Sequence, residues 1–403
     1  MKKIIIIFVA LSALLCSCCA SRKAKSDKAP KSNNIEIKTI QTKAAVPAED
    51  YVFNLFGLVA EDENTFVSPL SLSLALGMVA SGAEGETYDQ MVRTMGLGDM
   101  DLQALYEYFE SLSGNLEAAD TSVMMEIANS IWVHENFPVK PAFKQGARKH
   151  FGAEIGSVDF DSPAAPGAIN SWCCEKTHGK ICKVVERTLG WKMALVNAVY
   201  FKASWSEQFE WTMDGEFNTI DGRKKDVKFL PKKGMMKYAE DADFQMVELP
   251  YGKRGRFVFD IILPKAGFSQ APAMSQARFD SLAKKLDFDR VNFKMPEFKI
   301  ESTINLEGIL AAMGIRRAFS SAAQFGPISD VPLMIDKVLQ KTYIDLDKNG
   351  TEAAAVTVIS MRVTSVGPGY ELPYKDFIAD RPFLFVIRER ESGTIMFLGQ
   401  KVK

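Results

Sequence analysis

Histidine is almost missing from this chain: His134, His150 and His178 are all there is among 403 residues. That scarcity removes most hydrolases, which need a base that titrates near neutrality. Also missing are the G-x-S-x-G elbow, the G-x-x-x-x-G-K-[ST] and G-x-G-x-x-G loops, and H-E-x-x-H. The 50 acidic residues offer many pairs but none that stands apart, so no catalyst is expected. An excess of one charge is missing too, with 49 basic groups against those 50 acidic ones. Nine basic and four acidic groups fall in residues 1–50, which leaves 40 against 46 beyond them, a net of −6. A folded part with that balance is a poor phosphate binder, and no nucleic-acid partner is expected. What is present, 47% hydrophobic and 25% charged residues, is the composition of a soluble globular protein. Length alone suggests two or three domains.

Lys2 and Lys3 precede an apolar run from Ile4 to Leu15, too short to span a bilayer as a helix and suited to a signal peptide. The run ends in Leu14-Leu15-Cys16-Ser17-Cys18-Cys19, which resembles a bacterial lipoprotein cleavage box with Cys18 as the lipidated residue. An ordinary secretory signal with incidental cysteines is the other reading. From Ala20 to Pro47 no aromatic residue occurs, while lysine, serine and alanine abound, as in a disordered tether. As a flexible chain this segment reaches on the order of 30 Å. The expected organisation is a signal peptide at 1–17, a tether at 18–47 and one folded domain at 48–403. The expected location is outside the cytoplasm, lipid-anchored to a bacterial membrane at the outer membrane or cell surface.

Within the folded part, Cys173, Cys174 and Cys182 cluster around His178. Their spacing is not that of a zinc knuckle, and adjacent cysteines rarely share one ion, so no metal site is expected. Their odd number argues against a disulfide framework, and free thiols are the expectation. Ser68-Pro69 before Leu70, Leu72, Leu74, Leu76 and Met78 reads as an N-cap, a proline at the first helical position and a buried helix ending at Gly82. Residues 126–133 and 194–201 read as buried strands. Each carries an asparagine, Asn129 or Asn197, that must find hydrogen-bond partners. Pro382 to Arg388 and Thr394 to Gly399 read as a hairpin around Glu391-Ser392-Gly393. Strands scattered among helices without βα alternation give the α+β class.

One stretch resists a bland reading. Tyr343 to Asp347 is a strand, the Asn-Gly of Lys348-Asn349-Gly350 is the strongest short hairpin signal in the chain, and 351–361 is strand-like again. Alternation puts Thr351, Ala353, Ala355, Thr357, Ile359 and Met361 on one face, fit to pack inside a sheet. Residues 363–369, Val-Thr-Ser-Val-Gly-Pro-Gly, follow as an irregular exposed exit. A hairpin with a loose exit loop would account for as much.

Seven ordered motifs go further. They are Asn64-Thr-Phe-Val-Ser-Pro-Leu-Ser71, Ala128-Asn-Ser-Ile-Trp-Val133, Ile169-Asn-Ser-Trp172 with Thr177-His-Gly-Lys-Ile181, and Leu195-Val-Asn-Ala-Val-Tyr-Phe-Lys202 through Trp205. Met295-Pro-Glu-Phe-Lys-Ile300, Gly350-Thr-Glu-Ala-Ala-Ala355 and Arg381-Pro-Phe-Leu-Phe-Val-Ile-Arg388 complete the set. At these spacings, over about 350 residues, the chain resembles the serpins. The resemblance implies one domain of three β-sheets and about nine helices, with an exposed reactive-centre loop at about 350–381. It also implies a monomer without cofactor that inhibits serine proteases, with cysteine proteases as a second class, as a suicide substrate in a covalent 1:1 complex. The protease cleaves the loop and forms an acyl-enzyme. The loop then inserts into the main sheet as a new strand, dragging the protease out of its working geometry.

About twelve new strand residues, each adding roughly 1 kcal/mol of net hydrogen bonding plus burial, would supply on the order of 10–20 kcal/mol. The hinge residues Gly350, Thr351, Glu352, Ala353, Ala354 and Ala355 are small enough to thread, which speaks for inhibition. A non-inhibitory serpin serving as ligand carrier or chaperone is the alternative.

The resemblance also assigns sites. Ser68, Ser71 and Asn197 match the cluster where the central sheet opens, with Gln340 where many serpins carry histidine; glutamine does not titrate. Trp205 marks the top of the sheet at the loop base, where Glu297 and Lys348 reverse the usual signs of a salt bridge. Counting fourteen residues from Gly350 places the scissile bond at Thr364-Ser365, with Val363 and Arg362 as alternatives. Thr364 or Val363 suits an elastase- or subtilisin-like protease, and Arg362 a trypsin-like one.

Overall fold

The computed structural model describes residues 51–265, 274–351 and 373–403. The chain divides into residues 1–42, which lie outside that set, and residues 43–403. Cys18 and the expected tether are therefore not among the described residues.

The main sheet is built from the runs rich in β-branched and aromatic residues. Phe298–Asn305 lies at one edge, followed by Lys337–Asp347, the short Gly350–Thr351, Met193–Ser204, Met124–His134 and Glu154–Val158. Met193–Ser204 is buried almost throughout because both of its faces are covered. Leu195 and Val199 face the main core, while Ala194, Val196 and Ala198 belong to a smaller one. Helix Ala165–Lys176 and the segment after it roof that smaller core with Ile169, Trp172, Cys173, Ile181 and Val185.

The other strands form a nine-stranded network. Lys224–Glu240 is long enough to serve two sheets: residues 229–238 pair with Asp287–Pro296, and residues 237–240 pair with Phe244–Pro250. The three expected sheets are thus two hydrogen-bonded networks, because two of them share that strand. Eight α-helices and one 3-10 turn surround them among the described residues. Ser68 caps helix Pro69–Ala80 as anticipated, its side chain accepting the Ser71 N–H. The C-terminal hairpin pairs Phe383–Glu389 with Ile395–Lys401.

The expectation of free thiols fails for two of the three clustered cysteines. Cys174 and Cys182 are joined in a disulfide, with their Cα atoms 4.1 Å apart. An odd count of cysteines does not reveal which two the chain brings together; here the last turn of a helix and its exit segment do so. Cys173, one residue earlier, is free and buried, and burial pushes its thiol up to about 12.

Candidate functional site

The hinge begins with a tight turn. Asp347 pairs with Gly350 and Leu346 with Thr351, so Lys348 and Asn349 form a two-residue loop. The sequence placed the turn within Lys348-Asn349-Gly350, and the structure adds that Gly350 already belongs to the returning strand. The Asp347 carboxylate braces the turn, accepting the N–H groups of Asn349 at 2.7 Å and Gly350 at 3.2 Å. Gly350 then starts the returning strand at φ 148°, and a Cβ there would lie 2.1 Å from the Ala203 carbonyl oxygen. Only glycine fits. On their other side Gly350 and Thr351 pair with Ser204 and Ala203. Thr351 is fully buried, and its Oγ1 lies 2.6 Å from the Tyr251 hydroxyl. Burial holds that hydroxyl far above the usual phenol range, so it stays protonated. The first two hinge residues already sit in the sheet as a wedge. Glu352, Ala353, Ala354 and Ala355, and the candidate bond residues Arg362, Val363, Thr364 and Ser365, lie outside the described residues.

Trp205 fixes the base of this wedge. Its backbone N–H donates to the Asn349 carbonyl (3.0 Å), its Nε1–H donates to the Asp347 carbonyl (2.9 Å), and its ring stacks on Tyr251 at 4.4 Å. Glu297 and Lys348 do meet here, but not as the expected ion pair. The Glu297 carboxylate accepts the Lys348 backbone N–H at 3.3 Å, while the Lys348 side chain is exposed. The tight turn sets that backbone direction, so the contact does not depend on the charge at 348. Burial pushes the Glu297 carboxyl up, and the Lys348 N–H opposes it.

Below the wedge the two flanking strands close on each other, in parallel register from Lys337–Ala194 to Thr342–Val199. Gln340 and Asn197 are partners in that register. Gln340 Oε1 accepts the Ser68 N–H (2.9 Å), and its Nε2 donates to the Ser68 carbonyl and to Asn197 Oδ1 (both 2.9 Å). Asn197 Nδ2 donates to Asn129 Oδ1 (2.5 Å) and to Ser71 Oγ. Ser68 Oγ donates to the Met396 carbonyl at 2.8 Å and accepts the Ser71 N–H. The structure therefore brings Ser68, Ser71, Asn197 and Gln340 together. It adds Asn129, whose place in the cluster the sequence reading did not assign, although its lone amide in an apolar run was the available signal. Every member is a neutral amide or hydroxyl, so the seam is closed by bonds that can be broken without moving a proton.

One cluster with metal-ligand chemistry occurs among the described residues: His134, Asp159 and Asp161 place ligand atoms within 4.8 Å of one another. His134 Nδ1 accepts the Asn136 N–H at 3.2 Å, which leaves the proton of the neutral ring on Nε2. Nε2 faces Asp159 at 3.5 Å and Asp161 at 3.8 Å. A metal would need that nitrogen bare, so these residues fit a structural contact and not a cation.

The serpin (serine protease inhibitor) family profile matches residues 48–403. Leukocyte elastase inhibitor from Sus scrofa is 32% identical over 373 residues, covering 87% of this chain and 96% of that protein. The thermophilic serpin tengpin in its native state superposes with a TM-score of 0.80 at 30% identity, covering 91% of this chain and 95% of its own. Human thyroxine-binding globulin complexed with thyroxine gives 0.81 at 27% identity, covering 90% of this chain and 98% of its own.

Proposed function

This chain belongs to the serpin family, and from that premise we propose that it inhibits a serine protease by suicide insertion. Cleavage of the reactive-centre loop would leave an acyl-enzyme, and residues of about 351–362 would then enter the seam between strands 337–347 and 193–204. The observation that carries this reading is the hinge itself. Gly350 and Thr351 are paired on both sides, so the new strand has its first rungs in place and a defined direction to follow. Extending them requires parting the register from Lys337 to Thr342, which is held across the seam by the Gln340–Asn197 amides. The leukocyte elastase inhibitor relative supports a protease as partner. We assign the partner as elastase- or subtilisin-like first and trypsin-like second, from Thr364, Val363 and Arg362. The exported, lipid-anchored location through Cys18 belongs to the same proposal and rests on the sequence of residues 2–19.

Incubation with a panel of serine proteases tests it. A covalent 1:1 complex that survives SDS is the expected result, and mass spectrometry of the released C-terminal peptide identifies the bond. A peptide starting at Ser365 supports Thr364; cleavage without any complex would refute the trap. A second reading, carriage of a small apolar ligand, draws on a cavity of about 610 Å³ lined by Tyr51, Leu70, Met95, Tyr108, Leu112 and Ile395. Such a role would leave the paired hinge without a purpose, and the inhibitor reading is preferred.

A further inference from the structure

Among the described residues one disulfide occurs, Cys174 to Cys182. Cys174 lies in the last turn of helix Ala165–Lys176, and Cys182 in the segment leading back to Met193–Ser204. Between them Thr177 Oγ1 donates to the Cys173 carbonyl (2.7 Å) and accepts the Ile181 N–H (2.9 Å), closing the loop on itself. This loop straddles the seam. Ile181 is buried in the smaller core together with Ala194, Val196 and Ala198 of one seam strand and Leu339 and Tyr343 of the other. Lys180 Nζ stands over the Tyr343 ring, 5.5 Å from its centre. Admitting a further strand separates Leu339 and Tyr343 from the alanines opposite, so the roof must release one side. Packed groups separate all at once and not by degrees. A loop whose ends are joined has fewer conformations in which to do so.

We infer that the Cys174–Cys182 disulfide is a redox-controlled latch: joined, it holds the roof across the seam; reduced, it lets the main sheet open faster. This rests on the insertion reading above. The step balances with a dithiol reductant, which gives two electrons and two protons and closes to its own disulfide, leaving Cys174 and Cys182 as thiols. Reagent can reach the bridge because Cys182 is exposed, whereas Cys173 is buried and protonated and is a poor nucleophile for reshuffling it.

The test uses the full chain, oxidised or treated with dithiothreitol, mixed with a synthetic peptide of the sequence of residues 351–362. Uptake of the peptide into the sheet is followed by native gel. Reduction is expected to speed uptake about tenfold. The Cys174→Ser/Cys182→Ser double variant should match the reduced rate and ignore dithiothreitol, which isolates the effect from Cys16, Cys18 and Cys19. Cys173→Ser should keep the response. Mass mapping of the oxidised protein should find the peptides of Cys174 and Cys182 linked. Equal uptake in both redox states, or no linked peptide, overturns the latch and leaves the insertion reading standing. Uptake in neither state overturns the insertion reading and the latch with it. If the double variant does not fold, the comparison of oxidised and reduced native chain decides alone.

Discussion

The two networks of strands are closed by different chemistry. In the main sheet, strands 337–347 and 193–204 are tied through neutral amides and hydroxyls, with alanines at 194 and 198 on the roofed face. In the other network, Phe385 stacks on Phe259 at 5.3 Å, and Phe66 stacks on Phe397 at 4.9 Å. Arg388 is buried there against Asp260 (2.6 Å) and Glu248 (2.8 Å). Stacked rings and buried charges resist separation, because parting them exposes large apolar area or strands an ion in low dielectric. Amides exchange partners at little cost once water or a new strand supplies equivalents. One region is a scaffold, the other a joint.

The largest effect should come from the scaffold. Arg388→Ala leaves Asp260 buried without its cation, while Glu248 keeps Arg390 and Lys237, a loss of about 3–5 kcal/mol. A urea melt should show the midpoint falling further than for any change at the seam. Burial already pushes the Asp260 carboxyl up to about 6, against the pull of Arg388. Because that value is raised, its contribution to stability is present below about pH 4 and is lost as pH rises through about 6. A midpoint for Arg388→Ala no lower than that of Asn197→Ala would erase the distinction between scaffold and joint.

Next comes Asn197→Ala, which orphans Asn129 Oδ1 and one donor of Gln340, for about 1–3 kcal/mol. Its signature should be kinetic: faster conversion on warming to a heat-resistant or polymeric form, timed on native gels. Unchanged conversion with a lowered melting point would mean that the amides are ordinary core bonds.

Gln340→His sharpens the same point through pH. A neutral imidazole can accept the Ser68 N–H and donate from its other nitrogen, whereas an imidazolium cannot accept. Its folded pKa should therefore fall below the usual value near 6.5, so stability is present above that value and lost as pH falls through it. Thermal melts between about pH 5 and 8 should separate the variant from the parent, whose seam network contains no titrating group. Identical profiles would show that this position does not govern opening.

The smallest contrast lies at the loop base. Glu297→Ala should cost about 1 kcal/mol through the lost bond to the Lys348 N–H. Lys348→Ala should cost less than about 0.5 kcal/mol, since its side chain is exposed. Equal effects in thermal melts would restore the ion pair that the sequence suggested.

These contrasts track what could be read in advance. The cap at Ser68-Pro69, the buried strands around Asn129 and Asn197 and the C-terminal hairpin were legible because each depends on residues a few positions apart. Ser68 and Gln340, 272 positions apart, could be joined only through the resemblance to serpins. The turn within residues 348–350 was legible as a local feature, since Asp347 braces it from two and three positions away. Glu297 and Lys348 were rightly neighbours with the wrong atoms in contact, since charge patterns do not say which way a backbone N–H points.

By itself, then, the sequence determined the local elements, the need for glycine at a tight return and the presence of amides wanting partners. Those follow from sterics and hydrogen-bond valence within a few residues. Only the tertiary structure decided that Gln340 meets Asn197, that Cys174 finds Cys182 and that Thr351 is already inside the sheet. Such pairings depend on how distant segments share one buried volume, where every polar group must be satisfied at once. No local rule encodes that condition.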